Sequence, residues 1–193
     1  TKKDPGYIKG YPPGIRENGG QYTHAATWAV WAAAGLEHSE RAHHLFSLLN
    51  PITHTDSAEG VARYRTEPYV LAGDVYGVPP HEGRGGWTWY SGASGWLYRG
   101  ALEALLGVRI LEGNSLEIKP CLPETWGEFR LSLRFGNSRY EIEVQNCGEC
   151  PRTIGELTVD DKVIAGERIP LMDDGGNHRV LLVFAAAKMT SSE

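Results

Sequence analysis

The stretch Ala93-Ser-Gly-Trp-Leu-Tyr-Arg-Gly-Ala-Leu-Glu-Ala-Leu-Leu-Gly107-Val-Arg-Ile-Leu-Glu-Gly-Asn-Ser-Leu-Glu-Ile-Lys119 decides the fold. Before Gly107 its apolar residues, Trp96, Leu97, Ala101, Leu102, Leu105 and Leu106, recur at helical spacing. After it they alternate, as in Ser115-Leu-Glu-Ile-Lys119, which is the period of a half-buried strand. The same alternation continues in Phe129-Arg-Leu-Ser-Leu-Arg-Phe135 and Tyr140-Glu-Ile-Glu-Val144, joined through Gly136-Asn-Ser138, and then in 157–159, 162–164 and 180–184. Upstream the texture is helical. Tyr22 to Ala34 is apolar on nearly every face, which predicts a helix enclosed on all sides and stopped by Gly35. Glu37 to Leu49 is amphipathic, and a polar stretch runs from Asn50 to Thr66. The expected fold is α+β in two parts: helices over 1–107, a small antiparallel β-sandwich over 108–184, and a frayed tail at 185–193.

Composition removes several classes of function. The 193 residues carry a net charge of -5 with no Lys/Arg cluster, which argues against a nucleic-acid partner. No run reaches the roughly 20 apolar residues of a membrane span, and no secretory leader opens the sequence, so a soluble protein without direct membrane contact is expected. Cys121, Cys147 and Cys150 are odd in number, and a single C-x-x-C with no second pair beside it is a poor metal site, so no metal is assigned. The opening, with Pro5, Gly6, Gly10, Pro12, Pro13 and Gly14, starts in the middle of a loop and reads as a fragment.

If the first two helices form an antiparallel hairpin and the third returns to the inner layer, helices one and three are parallel and their N-termini share one mouth. Both are entered by small and polar residues, Asn18-Gly-Gly-Gln21 and Ser91-Gly-Ala-Ser-Gly95. Paired helix N-termini lined with glycine make a candidate phosphate pocket, and His24, in the first turn of helix one, can donate to the same anion. The plainer reading of these residues is an N-cap, a permissive turn and a satisfied core histidine. Between the helices, 66–92 is a long segment dense in Gly, Pro and aromatics. Tyr76, Trp87, Trp89 and Tyr90 offer flat faces suited to sugar rings, and Glu17, Glu67 and Asp74 can accept hydroxyl protons.

Three ordered segments carry a resemblance. Gly10-Tyr-Pro-Pro-Gly-Ile-Arg-Glu-Asn-Gly-Gly-Gln-Tyr-Thr-His-Ala25, Glu67-Pro-Tyr-Val-Leu-Ala-Gly-Asp-Val-Tyr76 and Gly85-Gly-Trp-Thr-Trp-Tyr-Ser-Gly-Ala-Ser-Gly-Trp96 resemble the inverting glycoside phosphorylases of glycoside hydrolase family 94. Within that family the wording is most similar to the phosphorylase-like C-terminal region of cyclic β-1,2-glucan synthases and to β-1,2-oligoglucan phosphorylases. The resemblance implies the C-terminal portion of an (α/α)6 helical barrel followed by the β-domain. It implies phosphate binding by His24, Ser91 and Gly92 and sugar binding by Glu17, with Asp74, Arg84 and Trp87 as further loop candidates.

The implied reaction is reversible phosphorolysis of β-glucosidic linkages with inversion, giving α-glucose 1-phosphate. Its partners are a β-glucan oligosaccharide, inorganic phosphate as co-substrate in place of any cofactor, and the remainder of the parent chain; a homodimer stays open. The general-acid Asp of the family lies upstream of the E-N-G segment, so no catalytic acid is assigned within these residues, and the chain alone is expected to be inactive and poorly stable. The expected location is the cytoplasm, with the parent tethered to a bacterial inner membrane by other segments. Two alternatives compete: a β-glucan hydrolase of similar shape, which needs a second carboxylate to activate water, and a noncatalytic carbohydrate-binding module built on Trp87, Trp89 and Trp126.

Overall fold

The computed structural model describes residues 3–89, 92–146 and 152–186. Tyr90, Ser91, Cys147 and Cys150 lie outside the described residues, as does the tail beyond Ala186. The chain divides into two compact units, Thr1–Ala101 and Leu102–Glu193.

The first unit holds β1 (Gln21–Tyr22), α1 (Thr23–Gly35), α2 (Ser39–Leu49), α3 (Ala58–Tyr64), β2 (Asp74–Val75), β3 (Gly85–Gly86) and α4 (Ala93–Arg99), after a 3-10 turn at Gly6–Gly10. Helix α1 is the centre, with α2 and α4 packed against it. Its C-terminal stop differs from expectation. Gly35 is still helical, and Glu37 takes the left-handed conformation at φ 59°, while the N–H groups of Leu36 and His38 close back on the carbonyls of Ala32 and Ala33.

Only one face of α1, Thr23, Thr27, Val30 and Ala33, is buried; Trp28 is 54% exposed and Leu36 69%. The expectation of a helix enclosed on all sides is therefore corrected for this chain: two helices can cover only part of a cylinder that is apolar all round. Helix α2 behaves as its amphipathic pattern requires, burying Ala42 and Leu49. The polar stretch 50–66, for which the sequence pattern predicts no helix, contains α3, started by Ser57, whose hydroxyl accepts the Gly60 N–H at 3.1 Å, and stopped by Arg65 at φ 54°.

The second unit contains β4 (Val108–Leu111), β5 (Ser115–Ile118), β6 (Glu128–Phe135), β7 (Ser138–Gln145), β8 (Arg152–Val159), β9 (Lys162–Val163), β10 (Arg168–Pro170) and β11 (Asn177–Ala186). A π-helical stretch, Gly100–Leu105, leads into them, and its end is tied to the strands: the Leu105 carbonyl accepts the Cys121 N–H at 2.7 Å, and the Gly107 carbonyl accepts that of Lys119 at 3.0 Å. Two sheets form, in the orders β10-β5-β4 and β6-β7-β11-β8-β9.

The expectation of a purely antiparallel domain needs one correction. Strand β11 inserts between β7 and β8, antiparallel to β8 but parallel to β7, so the larger sheet is mixed. The alternating residues face inward as the period requires. Tyr140, Ile142 and Val144 of β7, Val180, Leu182 and Phe184 of β11, and Leu116 and Ile118 of β5 are all buried. The Tyr140 hydroxyl accepts the Met172 N–H at 2.6 Å and so pins the segment after β10 to β7.

Candidate functional site

The three conspicuous sequence segments, far apart along the chain, meet in one small sheet of the first unit. In its order β1-β2-β3, Tyr22 pairs with Asp74, and Asp74 with Gly86. The Thr23 N–H donates to the Gly73 carbonyl at 3.0 Å, so the first residue of α1 is fixed to β2. Gly85 and Gly86 are dictated by this closeness. A Cβ on Gly85 would stand 2.6 Å from the Thr66 methyl, and one on Gly86 2.7 Å from the Tyr76 hydroxyl and 2.9 Å from Asp74 Oδ1.

Asp74 is completely buried. Its Oδ2 accepts the Arg16 N–H at 2.9 Å, whereas Oδ1 is buried with no partner. Burial pushes its carboxyl above the usual range; the Arg16 N–H and positive charge oppose that shift, and the nearby Glu17 charge adds to it. Arg16 itself, at φ 50°, lays its guanidinium 4.7 Å from the centre of the Trp87 ring, and its Nε is buried without a partner. Trp87 is half exposed at φ 57°. The structure thus gathers Arg16, Asp74 and Trp87, with the exposed Glu17 next along the chain. Arg16 was not singled out from sequence; its place immediately before Glu17 in the first segment was the available signal.

His24 stands in the first turn of α1, enclosed by rings: Trp28 at 5.3 Å, Trp96 at 5.9 Å and Tyr22 at 6.0 Å between centroids. Its Nε2 is buried and has no hydrogen-bond partner. Trp96 belongs to the first turn of α4, where its N–H donates to the Gly92 carbonyl at 3.2 Å. Farther along α1, Trp31 lies against the Arg99 guanidinium, 6.0 Å from its ring, and its Nε1 is 3.1 Å from where a Cβ on Gly100 would be. The contacts advance in the same direction along both helices, so α1 and α4 start at the same end. Gly92 is exposed at the cap of α4, and its companion Ser91 lies outside the described residues.

The other candidates are placed as follows. Glu67 Oε1 accepts the Trp89 indole N–H at 3.2 Å, away from the Asp74 side chain's own partners. Arg84 is exposed on the turn that returns to β3, its carbonyl accepting the Tyr76 N–H at 2.8 Å. Trp126 belongs to the second unit, whereas Trp87 and Trp89 belong to the first. Among the described residues no group of His, Cys, Asp and Glu is arranged to hold a metal, and no helix is long and apolar enough to cross a membrane.

Two known families match adjacent parts of the chain. Residues 1–107 match the glycosyl hydrolase 94 superfamily, catalytic domain, and residues 108–148 match the glycosyl hydrolase family 65, C-terminal domain. The chain is 52% identical over 144 residues to cyclic beta-(1,2)-glucan synthase NdvB of Rhizobium meliloti (strain 1021), covering 75% of this chain and 5% of that protein. It is 30% identical to solabiose phosphorylase of Paenibacillus borealis over 91% of its own length and 22% of the relative's. With N,N'-diacetylchitobiose phosphorylase of Vibrio proteolyticus the identity is 29%, over 93% of this chain and 22% of the relative. The match over residues 1–107, more than half of the sequence, places the chain in the glycosyl hydrolase 94 superfamily.

Proposed function

We propose that this chain is the C-terminal part of an inverting glycoside phosphorylase that cleaves β-glucosidic linkages, with β-1,2-glucan as substrate, to give α-glucose 1-phosphate. The observation that carries this reading is His24: a buried imidazole nitrogen without a partner, at the start of α1 and beside the first turn of α4. An unpaired buried polar atom costs about 1–3 kcal/mol, and a phosphate oxygen at the two helix starts would remove that cost. His24, Gly92 and Ser91 hold phosphate in this reading, while Glu17, Asp74 and Trp87 belong to the sugar side. Asp74, fully buried with one oxygen committed to Arg16, acts there by shaping the loop that carries Glu17.

In the reaction, a carboxylic acid supplied from outside these residues gives its proton to the glycosidic oxygen. A phosphate oxygen forms the new bond to the anomeric carbon from the opposite face as the old C–O bond breaks. Phosphate is itself the nucleophile, so neither a metal nor a second carboxylate is required. Residues 1–107 are read as the last part of an (α/α)6 barrel and 108–184 as its β-domain, working in the cytoplasm as part of a longer polypeptide and inactive alone. The share of the relatives that the chain spans, 5% to 22%, supports this reading.

The test is product analysis with the longer polypeptide that contains this chain. Phosphate-dependent release of α-glucose 1-phosphate from β-1,2-oligoglucan is expected; phosphate-independent release of glucose would make the enzyme a hydrolase. His24→Ala, by removing a hydrogen bond to a charged group, is expected to raise KM for phosphate roughly 10- to 100-fold while leaving KM for the sugar nearly unchanged. An unaltered phosphate dependence would remove His24 from the site.

A further inference from the structure

We propose that Tyr69, Trp89 and Glu67 form a second sugar subsite, for a pyranose ring of an oligosaccharide that lies outside the two rings joined by the scissile bond. This inference rests on the phosphorylase reading for its substrate class and on separate residues for its geometry.

Trp89 is 71% exposed and Tyr69 75%, and the two lie side by side on loops that are otherwise tied down. Their centroids are 6.3 Å apart with the planes at 64°, so the two rings make an open corner instead of stacking on each other. Each wall of the corner is fixed. Tyr69 is the third residue of a turn closed by the Val70 N–H on the Glu67 carbonyl at 3.1 Å, with Pro68 setting the second position. Trp89 follows β3, whose partner strand is β2, and its indole N–H is anchored on Glu67 Oε1 at 3.2 Å.

Trp89 also sits at φ 68°, a left-handed conformation that a bulky side chain adopts only when the surroundings impose it. Glycine would take that backbone without penalty, and most of the indole faces water. The placement therefore serves the exposed ring face. The Glu67 carboxylate is held below its usual range, first by its own backbone N–H and then by the Trp89 indole, so at neutral pH it is an anionic acceptor beside the corner.

A flat C–H face edged by equatorial hydroxyls is the ligand this arrangement fits: the ring lies on Trp89, Tyr69 borders it, and Glu67 accepts a hydroxyl proton. The Glu67 charge favours a neutral sugar over an anionic one. Preorganised walls lower the ordering cost of binding, which suits an extended neutral chain contributing one weak contact per ring.

The experiment measures kcat/KM for phosphorolysis by the longer polypeptide, using β-1,2-linked disaccharide and hexasaccharide. Trp89→Ala is expected to lower the hexasaccharide value about 3- to 10-fold and leave the disaccharide value within error, with Trp89→Phe recovering part of the loss. Tyr69→Ala and Glu67→Gln are expected to act in the same direction with smaller effect. These are surface positions, so folding is preserved and is checked by circular dichroism. Equal losses on both substrates, or no loss on either, would overturn the subsite. If the unmodified polypeptide releases no glucose 1-phosphate, the phosphorylase reading fails, and the subsite is then decided by calorimetric titration with the hexasaccharide alone. A 3-fold or greater weakening by Trp89→Ala supports it, and unchanged affinity overturns it.

Discussion

Replacing Asp74 by asparagine and by alanine should have different effects on the first unit. In the folded chain the Asp74 carboxylate is fully buried, one oxygen accepting the Arg16 N–H and the other facing no partner. Burial raises its pKa, so folding favours the protonated form. Its contribution is then present in full below about pH 3.9 and is lost as pH rises through the raised folded value. At neutral pH the ionised group opposes folding. Asp74→Asn keeps an acceptor for Arg16 and removes the charge, so it is expected to stabilise the unit at pH 7 and to abolish this part of its pH dependence.

Asp74→Ala also removes the charge but leaves the Arg16 N–H without its acceptor, at a cost of about 1–3 kcal/mol relative to asparagine. Taking about 2 kcal/mol, and about 4–8 °C per kcal/mol for a unit of this size, the alanine variant should melt roughly 8–16 °C below the asparagine variant at pH 7. The assay is thermal unfolding of both variants followed by circular dichroism between pH 4 and 8. Equal midpoints for the two variants at pH 7 would refute the reasoning, because they would mean that the Arg16 contact does not hold this loop.

The second unit should show a stability maximum on the acid side of neutrality. His178, 8% exposed, presents Nδ1 to Asp160 at 2.8 Å and Nε2 to Asp174 at 3.1 Å, and these carboxylates raise its pKa. Its contribution is complete below about pH 6.5 and lost as pH rises through the raised value. The pKa of Asp160, lowered mainly by His178, and that of Asp174, lowered first by the Gly176 N–H and then by His178, make their contributions vanish as pH falls below about 4. Urea midpoints measured from pH 3 to 9 are expected to peak between these limits, and His178→Gln should remove the fall on the alkaline side. Gly107→Ala should destabilise this unit by at least about 3 kcal/mol, because Gly107 is at φ 69° and a Cβ there would stand on the Lys119 carbonyl, a backbone group that cannot swing aside; a urea midpoint equal to that of the unmodified unit would contradict it.

Much of the second unit was legible because alternation states directly which side chains face inward: Tyr140, Ile142 and Val144 are buried as their spacing demands. Strand order was not legible. Nothing in the pattern of 177–186 says that β11 will separate β7 from β8, since insertion satisfies the same inward face as edge addition would. Helix α3 is not legible because seven residues, Ala58–Tyr64, are too short a run to show an apolar stripe, and its cap at Ser57 is a common loop residue. In the candidate site, His24 was selected by its position at a helix start. The burial of Asp74 and the stacking of Arg16 on Trp87 depend instead on the pairing of β1 with β2, which joins residues more than 50 positions apart. Charged residues in glycine-rich loops read as solvated until such a pairing is known.

The exposed face of α1 and the enclosure of His24 belong to one arrangement. Trp28 touches both the His24 ring, at 5.3 Å, and Trp96, at 5.9 Å, yet more than half of it faces solvent. It is therefore both an inner wall of the histidine pocket and the beginning of an uncovered stripe that continues through Ala29, Ala32 and Leu36. A helix with alanine rather than lysine or glutamate on its outward side gains nothing from water there. In the proposed longer polypeptide, whatever covers that stripe necessarily adjoins Trp28, and through it His24. In that proposal, closure of the helical layer and completion of the phosphate site would be the same event, and a loss of phosphate binding on cutting the covering segment away would follow from it.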